Sequence, residues 1–426
     1  MNIIVAILAL SIIIMIHEIG HYIAAKAVGI RVLEFAIFMG PKLFSFERKG
    51  TIYSIRAIPI GGFVSMEGEE KEVDSDTSYS GMPAWKKIVA VSAGPAANFI
   101  FALLVLFILF LSSGYALDGN TVIEPGTTAY SAGLRDGDKI ISIDGRRVYD
   151  PLDLTVLLYT NEGEKVEVKY KSDGEVKTAL VDTMLMGGDR YMINFFPVGE
   201  STVIGELSEN SNGYKAGLRV GDNIISVNGI PVANRDEIDD VMANHQSGSD
   251  VIVITENSPG ETEQFQFEPV FQEVPEYRDL GIYYSGSRTN VWTALKHSVN
   301  FSISTLRAVL MSISWLITGA VKFSEMMGPV GIVSTIGATI KQDTFRLFII
   351  NLANMMAFIS LNLGLMNLIP FPALDGSKIV IHTIEAIRRK PFPMEKTAWI
   401  TIAGFVLLVA LLLFATFNDI IRLIGL

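Results

Sequence analysis

Apolar positions in this chain gather into four long runs, separated by stretches in which apolar and polar residues alternate. The first run, residues 2–16 (NIIVAILALSIIIMI), carries no charge, and its apolar character resumes after His17, Glu18 and His21 as far as Val28. At about 1.5 Å per helical residue, this span crosses a hydrocarbon core of about 30 Å. A second run covers about Ala97 to Leu117, a third Phe345 to Phe371 and a fourth Thr397 to Phe417. The pattern predicts about four transmembrane helices. A cleaved secretory leader is the competing reading of the first run, with Ala25-Lys26-Ala27 imitating a processing site. No Lys or Arg precedes that run, however, and three ionisable groups lie inside it.

Between the runs the periodicity changes. Residues 30–66 alternate as β segments (Val32, Phe35, Phe38, then Ile52, Tyr53, Ile55, Ile58) and end in Gly61-Gly62-Phe63-Val64. Residues 67–82 are polar and read as a flexible loop. Residues 291–342 mix apolar and polar positions at helical spacing. This suits amphipathic helices near a membrane interface, with Trp292 and Trp315 as anchors, and equally a packed soluble helix pair.

Composition agrees with a mixed architecture. The chain has 426 residues, of which 50% are hydrophobic and 19% charged, too apolar for an ordinary soluble protein and too charged for helices alone. There is no cysteine, so any metal must be held by His, Asp, Glu or backbone oxygen, and only five His are present. From Asp118 to Arg288 there are 30 acids against 14 bases. An acidic region of this kind excludes a nucleic-acid partner, which calls for a clustered basic face. Lys and Arg concentrate between Lys26 and Lys87 and between Lys378 and Lys396. Basic connections mark the cytoplasmic side, so the 118–288 region is expected on the opposite side of the membrane.

That acidic region repeats itself. Ala129-Tyr130-Ser131-Ala132-Gly133-Leu134-Arg135-Asp136-Gly137-Asp138 leads into IISIDG at 140–145. Gly213-Tyr214-Lys215-Ala216-Gly217-Leu218-Arg219-Val220-Gly221-Asp222 leads likewise into IISVNG at 224–229. A short helix, a glycine turn, a strand and an Asp-Gly or Asn-Gly turn make a small β-rich domain. The pattern resembles the PDZ domain in the permuted form of bacterial proteases, with one copy at 118–197 and another at 198–285.

The chemistry lies in His17-Glu18-Ile19-Gly20-His21, inside the first apolar run. Residues four apart share a helix face, so both imidazoles can meet one metal while Glu18 reaches its water. Two His and a third ligand leave a fourth tetrahedral position open, the arrangement of a catalytic zinc. Three ionisable groups in a membrane span would each cost at least about 2.5 kcal/mol unless paired or metal-bound. Among candidates for the third ligand, Asp375 stands out. It follows Pro370 and Pro372, which must interrupt the helix at the cytoplasmic end of the third run.

An HExxH helix paired with the late segment Asn367-Leu368-Ile369-Pro370-Phe371-Pro372-Ala373-Leu374-Asp375-Gly376 resembles the site-2 protease family of intramembrane metalloproteases, and the tandem PDZ insertion resembles its RseP-like branch. Ser92-Ala93-Gly94-Pro95-Ala96-Ala97-Asn98, Pro59-Ile60-Gly61-Gly62-Phe63-Val64 and Met327-Gly328-Pro329-Val330-Gly331 match as well. The resemblance implies a bacterial cytoplasmic-membrane enzyme in which His17, His21 and Asp375 bind Zn2+ and Glu18 is the catalytic base. It further implies that Asn362 and Asn367 contact the substrate. Its substrates would be single-span membrane proteins, such as anti-sigma factors or signal-peptide remnants, and its PDZ domains would gate access or bind peptide partners. Ser377 departs from the family, which usually has a second glycine there. Gly61, Gly62 and Phe63 are expected either to offer a strand edge to an extended substrate or only to make a turn. Two other classes remain: a membrane-tethered PDZ adaptor with an inactive core, and an ion transporter, for which no inverted repeat is found.

Overall fold

A computed structural model describes residues 2–424, apart from 70, 160, 162, 189, 194, 198–200, 208–210, 259–260, 273–275, 288–289, 323–327, 329–330 and 332–344. Its helices are α1 (Asn2–Val28), α2 (Ala84–Ser113), α3 (Thr128–Ser131), α4 (Leu152–Leu158), α5 (Asn212–Ala216), α6 (Arg235–Ala243), α7 (Val291–Thr318), α8 (Phe345–Leu368), α9 (Asp375–Arg388) and α10 (Met394–Ile424).

Among the described residues, five helices, α1, α2, α7, α8 and α10, are long and apolar enough to cross a membrane, where the sequence pattern predicted about four. The addition is α7. Its start is fixed by a capping box in which Asn290 and Thr293 each accept from the other's backbone N–H. Four of its polar residues, Ser298, Ser302, Ser304 and Thr305, are buried, while Leu310 and Ile317 are exposed. Ser298 and Ser302 return their hydroxyls to the carbonyls one turn earlier. Residues 291–318 are this one continuous helix, and most of 323–344, including Met327, Pro329 and Val330 of the glycine-proline motif, lies outside the described residues.

The alternating segment folds as two long strands, Val32–Arg48 and Thr51–Met66. Phe35 is partnered by Val64 on one side and Tyr53 on the other, and Ile55 is partnered by both Ile37 and Phe44. The ribbon therefore doubles back into four segments in the order 62–66, 32–37, 52–56 and 42–48. Residues 62–66 form an edge, with strand partners on one side only among the described residues. The loop expected to be flexible is instead pinned, with Ser78 and Tyr79 buried and Ser78 hydrogen-bonded to the carbonyls of Val73 and Ser75. Its serines bond one another and the backbone, and the Tyr79 hydroxyl reaches His382, which a composition count does not register.

The repeat forms two matching four-stranded sheets. In the first, the order is Arg146–Arg147, Lys139–Ile143, Lys165–Ser172, Glu175–Asp182; in the second, it is Ile230–Pro231, Ile224–Val227, Val251–Ser258, Glu261–Phe267. Contacts divide the chain into Met1–Val181 with Gly281–Leu426, and Asp182–Leu280. This division differs from the boundary placed at 197/198 by the repeat pattern. Residues 184–186 pair with 277–279, and 190–192 with 270–272, so the segment after 182 closes on itself. Residues 283–287 return to pair with the strand Tyr115–Val122.

Around the membrane helices, Leu106 and Phe110 of α2, Ala294 of α7, and Ala357 and Leu361 of α8 share one buried cluster. Apolar packing thus ties α7 and α8 to α2.

Candidate metal centre

Helical spacing brings His17 and His21 of α1 together, with ring centroids 4.6 Å apart and planes nearly perpendicular. Their Nε2 atoms lie 3.0 Å apart. Asp375, at the first turn of α9, places Oδ2 3.0 Å from His17 Nε2 and 3.2 Å from His21 Nε2. Both histidines are buried. Among the described residues, this is the one group of three or more His, Asp or Glu whose donor atoms converge for a metal.

The donor set fits zinc. His21 Nδ1–H donates to the carbonyl of Ala90 (2.9 Å), which leaves its Nε2 as a bare lone pair. His17 Nδ1 faces the carboxamide of Asn98 at 3.4 Å, and Asn98 Oδ1 is buried with no partner among the described residues. With its oxygen turned to the ring, Asn98 accepts from His17 Nδ1–H, and both Nε2 atoms then point their lone pairs at one spot. Two such nitrogens and a carboxylate oxygen, crowded within about 3 Å, call for a cation between them. The α2 backbone closes the wall behind them: a Cβ on Gly94 would come 2.3 Å from His21 Nε2, so only glycine fits.

Glu18 stands beside these three residues, and its Oε2 accepts from the backbone N–H of Val64 on the sheet edge at 2.9 Å. A cavity of about 350 Å³ joins these groups, lined by His17, His21 and Asp375 together with Glu18, Phe63, Val64, Glu69, Asn367 and Lys378. Burial pulls the Lys378 ammonium down, and the Glu69 carboxylate at 2.8 Å more than reverses this. A larger cavity of about 480 Å³ between α4 and α7 is lined by Arg146, Leu157, Arg307, Met311, Ser314 and Trp315 and has no metal donor.

The other expected residues divide. Asn367 and Phe63 line the cavity, whereas Asn362 is not among its lining residues and keeps a buried Oδ1 with no partner among the described residues. Gly61 takes a positive φ of 66°, and a Cβ on Gly62 would come 2.7 Å from the Ala36 carbonyl, so the pair both turns the chain and lets the edge strand seat. Sequence reasoning assigned no role to Asn98, Glu69 or Lys378. An asparagine within an apolar run was the available signal for the first; the other two become visible only once the 67–82 loop meets α9.

The model of peptidase family M50 matches residues 5–411. The chain belongs to peptidase family M50. The regulator of sigma-W protease RasP of Bacillus subtilis is 30% identical over 429 residues, which cover 96% of this chain and 95% of that one. The zinc metalloprotease RasP of Bacillus licheniformis is 28% identical over 432 residues (99% and 100%), and the regulator of sigma E protease of Haemophilus influenzae 29% over 451 residues (98% of each). Among solved structures, the HtrA3 PDZ domain aligns with 21% of this chain and 90% of its own at 18% identity, with a TM-score of 0.15. Like its M50 relatives, the chain is a zinc metalloprotease of the site-2 type, with several apolar helices suited to a bacterial membrane.

Proposed function

We propose that His17, His21 and Asp375 hold the zinc and that Glu18 is the catalytic base, in an enzyme that cuts peptide bonds within or beside the transmembrane helices of single-span proteins. The convergence of the three donor atoms beside Glu18, among apolar helices, carries this reading. When bound, zinc supplies a Lewis acid that polarises the scissile carbonyl and acidifies water. The Glu18 carboxylate takes a proton from the attacking water and returns it to the amine nitrogen as the C–N bond breaks. The Val64 N–H holds that carboxylate toward the cavity, and Ile14 and Leu363 supply apolar lining around it.

A helical substrate hides its peptide bonds in its own hydrogen bonds, so it must be drawn out before cleavage. The edge at 62–66 supports strand addition as the means: backbone pairing there holds an extended segment beside Glu18 whatever its side chains. Phe63 and Asn367 would touch that segment, whereas Asn362, five residues before Asn367, lies about 140° around the helix from it. The two β-rich repeats are read as PDZ domains outside the cytoplasm that gate substrate entry, with the basic connections on the cytoplasmic side. The names of the relatives suggest an anti-sigma factor as substrate; remnants of signal peptides are the alternative.

Cleavage of a fluorescent single-span reporter by the purified chain tests the core of this. Glu18→Gln is expected to retain zinc at wild-type stoichiometry and lose turnover; turnover that survives removes Glu18 from the mechanism. Deleting 182–280 tests the gate. Met184 pairs with Asp279, so the cut ends lie side by side. A filter predicts wider substrate acceptance after deletion, and a recruiter predicts lost cleavage.

A further inference from the structure

The loop that follows the sheet edge is fastened to the helix that supplies the third ligand. Asp375, Lys378, His382 and Glu385 recur at intervals of three and four along α9 and share one face. Lys378 Nζ meets Glu69 at 2.8 Å. The Tyr79 hydroxyl lies 2.6 Å from His382 Nε2, and His382 Nδ1 lies 2.8 Å from Glu385 Oε2. The backbone N–H of Phe392 donates to Glu385 Oε1 at 2.8 Å. Lys87 of α2 sits 3.9 Å from Glu385 Oε2 and 5.7 Å from the centre of the Tyr79 ring. Tyr79, Lys87, His382 and Glu385 are each under a tenth exposed.

A buried polar set of this kind is costly unless every member is satisfied, and removing one strands its partners. Neither Tyr79, Lys87, His382 nor Glu385 lines the catalytic cavity, so proton transfer at Glu18 leaves the network without a task. Its consequence is mechanical. Pro370 and Pro372 break the chain direction before α9, Ala373 adopts φ 78°, and the N-cap residue Leu374 makes no side-chain cap. The covalent link alone therefore does not set the direction of α9, and the Asp375 carboxylate goes where α9 is docked.

We propose that the Glu69–Lys378 pair and the Tyr79–His382–Glu385–Lys87 network form a clamp that positions Asp375 for the metal by holding α9 to the 67–82 loop and to α2. The proposal rests on reading His17, His21 and Asp375 as zinc ligands. These are positioning residues, at one remove from the ion, and a ligand displaced by about 0.5 Å is already outside productive geometry.

The test is zinc affinity of the purified full-length chain by chelator competition, with the visible absorption of the Co2+-loaded protein as a report on ligand geometry. Tyr79→Phe and Lys378→Met are each expected to weaken zinc binding about 10- to 100-fold and to shift the Co2+ bands. Lys378→Arg, which keeps the charge, is expected to bind zinc as wild type does. Glu69→Lys combined with Lys378→Glu is expected to recover the affinity that either single change loses. Wild-type zinc affinity and Co2+ bands in Tyr79→Phe and Lys378→Met, even with a lower unfolding temperature, would reduce the network to ordinary packing and overturn the clamp. If instead zinc stays bound when His17 and His21 are both replaced by Ala, the ligand assignment fails, and the clamp with it.

Discussion

The two copies of the β-rich repeat share their local construction and differ in what they are fastened to. In the first, Arg135 stacks over Tyr130 at 4.0 Å and its N–H donates to Asp138; in the second, Arg219 stacks over Tyr214 at 4.2 Å and its N–H donates to Asp222. Thr127 caps α3 and Ser211 caps α5, each through its own hydroxyl. The helices that follow diverge. Asp153 of α4 accepts from the Tyr149 N–H, and Glu237 of α6 accepts in the same way from the Ala233 N–H. Asp153, fully buried, also takes the Ser304 hydroxyl at 2.7 Å and the Arg307 guanidinium at 3.1 Å, both from α7. Glu237 is exposed and ends with Asn234 of its own copy. The same carboxylate position is thus an anchor in one copy and a local cap in the other. Since α7 packs on α2, which carries Gly94 and Asn98 behind the metal centre, the first copy is mechanically continuous with the catalytic core.

The strongest way to break this comparison is at the anchor. Asp153→Ala leaves Arg307 and Ser304 facing a buried gap and is expected to cost the first copy about 3–5 kcal/mol, while Glu237→Ala costs the second about 1 kcal/mol. Amide hydrogen exchange followed separately over 139–172 and 224–267 reads both, and equal losses of protection would remove the asymmetry. A smaller difference, of opposite sense, is expected at the shared glycines. Gly133→Ala and Gly217→Ala both force alanine into positive φ, at about 1–2 kcal/mol. A Cβ at Gly217 also meets Phe265 at 2.8 Å, whereas at Gly133 the nearest contact is the Tyr170 hydroxyl at 3.9 Å. Gly217→Ala should therefore lower the unfolding midpoint of its copy further. The caps should show no difference: Thr127→Ala and Ser211→Ala are each expected to cost about 1 kcal/mol, and a clear inequality would mean that tertiary context reaches even these local bonds.

The residues whose donor atoms converge were legible because their signals are local or chemically extreme. His17, Glu18 and His21 stood out as charges in an apolar run, and Asp375 as an acid after a doubly broken helix. The 67–82 loop was misjudged because its order comes from partners far along the chain, with Glu69 and Tyr79 meeting Lys378 and His382. Residues 291–342 left amphipathic interfacial helices and a packed helix pair equally open, since periodicity gives a face but not what covers it; Val291–Thr318 is one helix long and apolar enough to span a membrane.

By itself the sequence determined the elements whose cause lies within a few residues: the spacing of the two histidines, the alternation that makes the hairpin, and the glycine turns of the repeat. Only the tertiary structure decided which carbonyl orients His21, which backbone approaches near enough to require Gly94, and which copy of the repeat is anchored to α7. Periodicity and propensity act along the chain over a turn or a strand. The distances that make a metal centre, about 3 Å between atoms 358 residues apart, are set by packing across it.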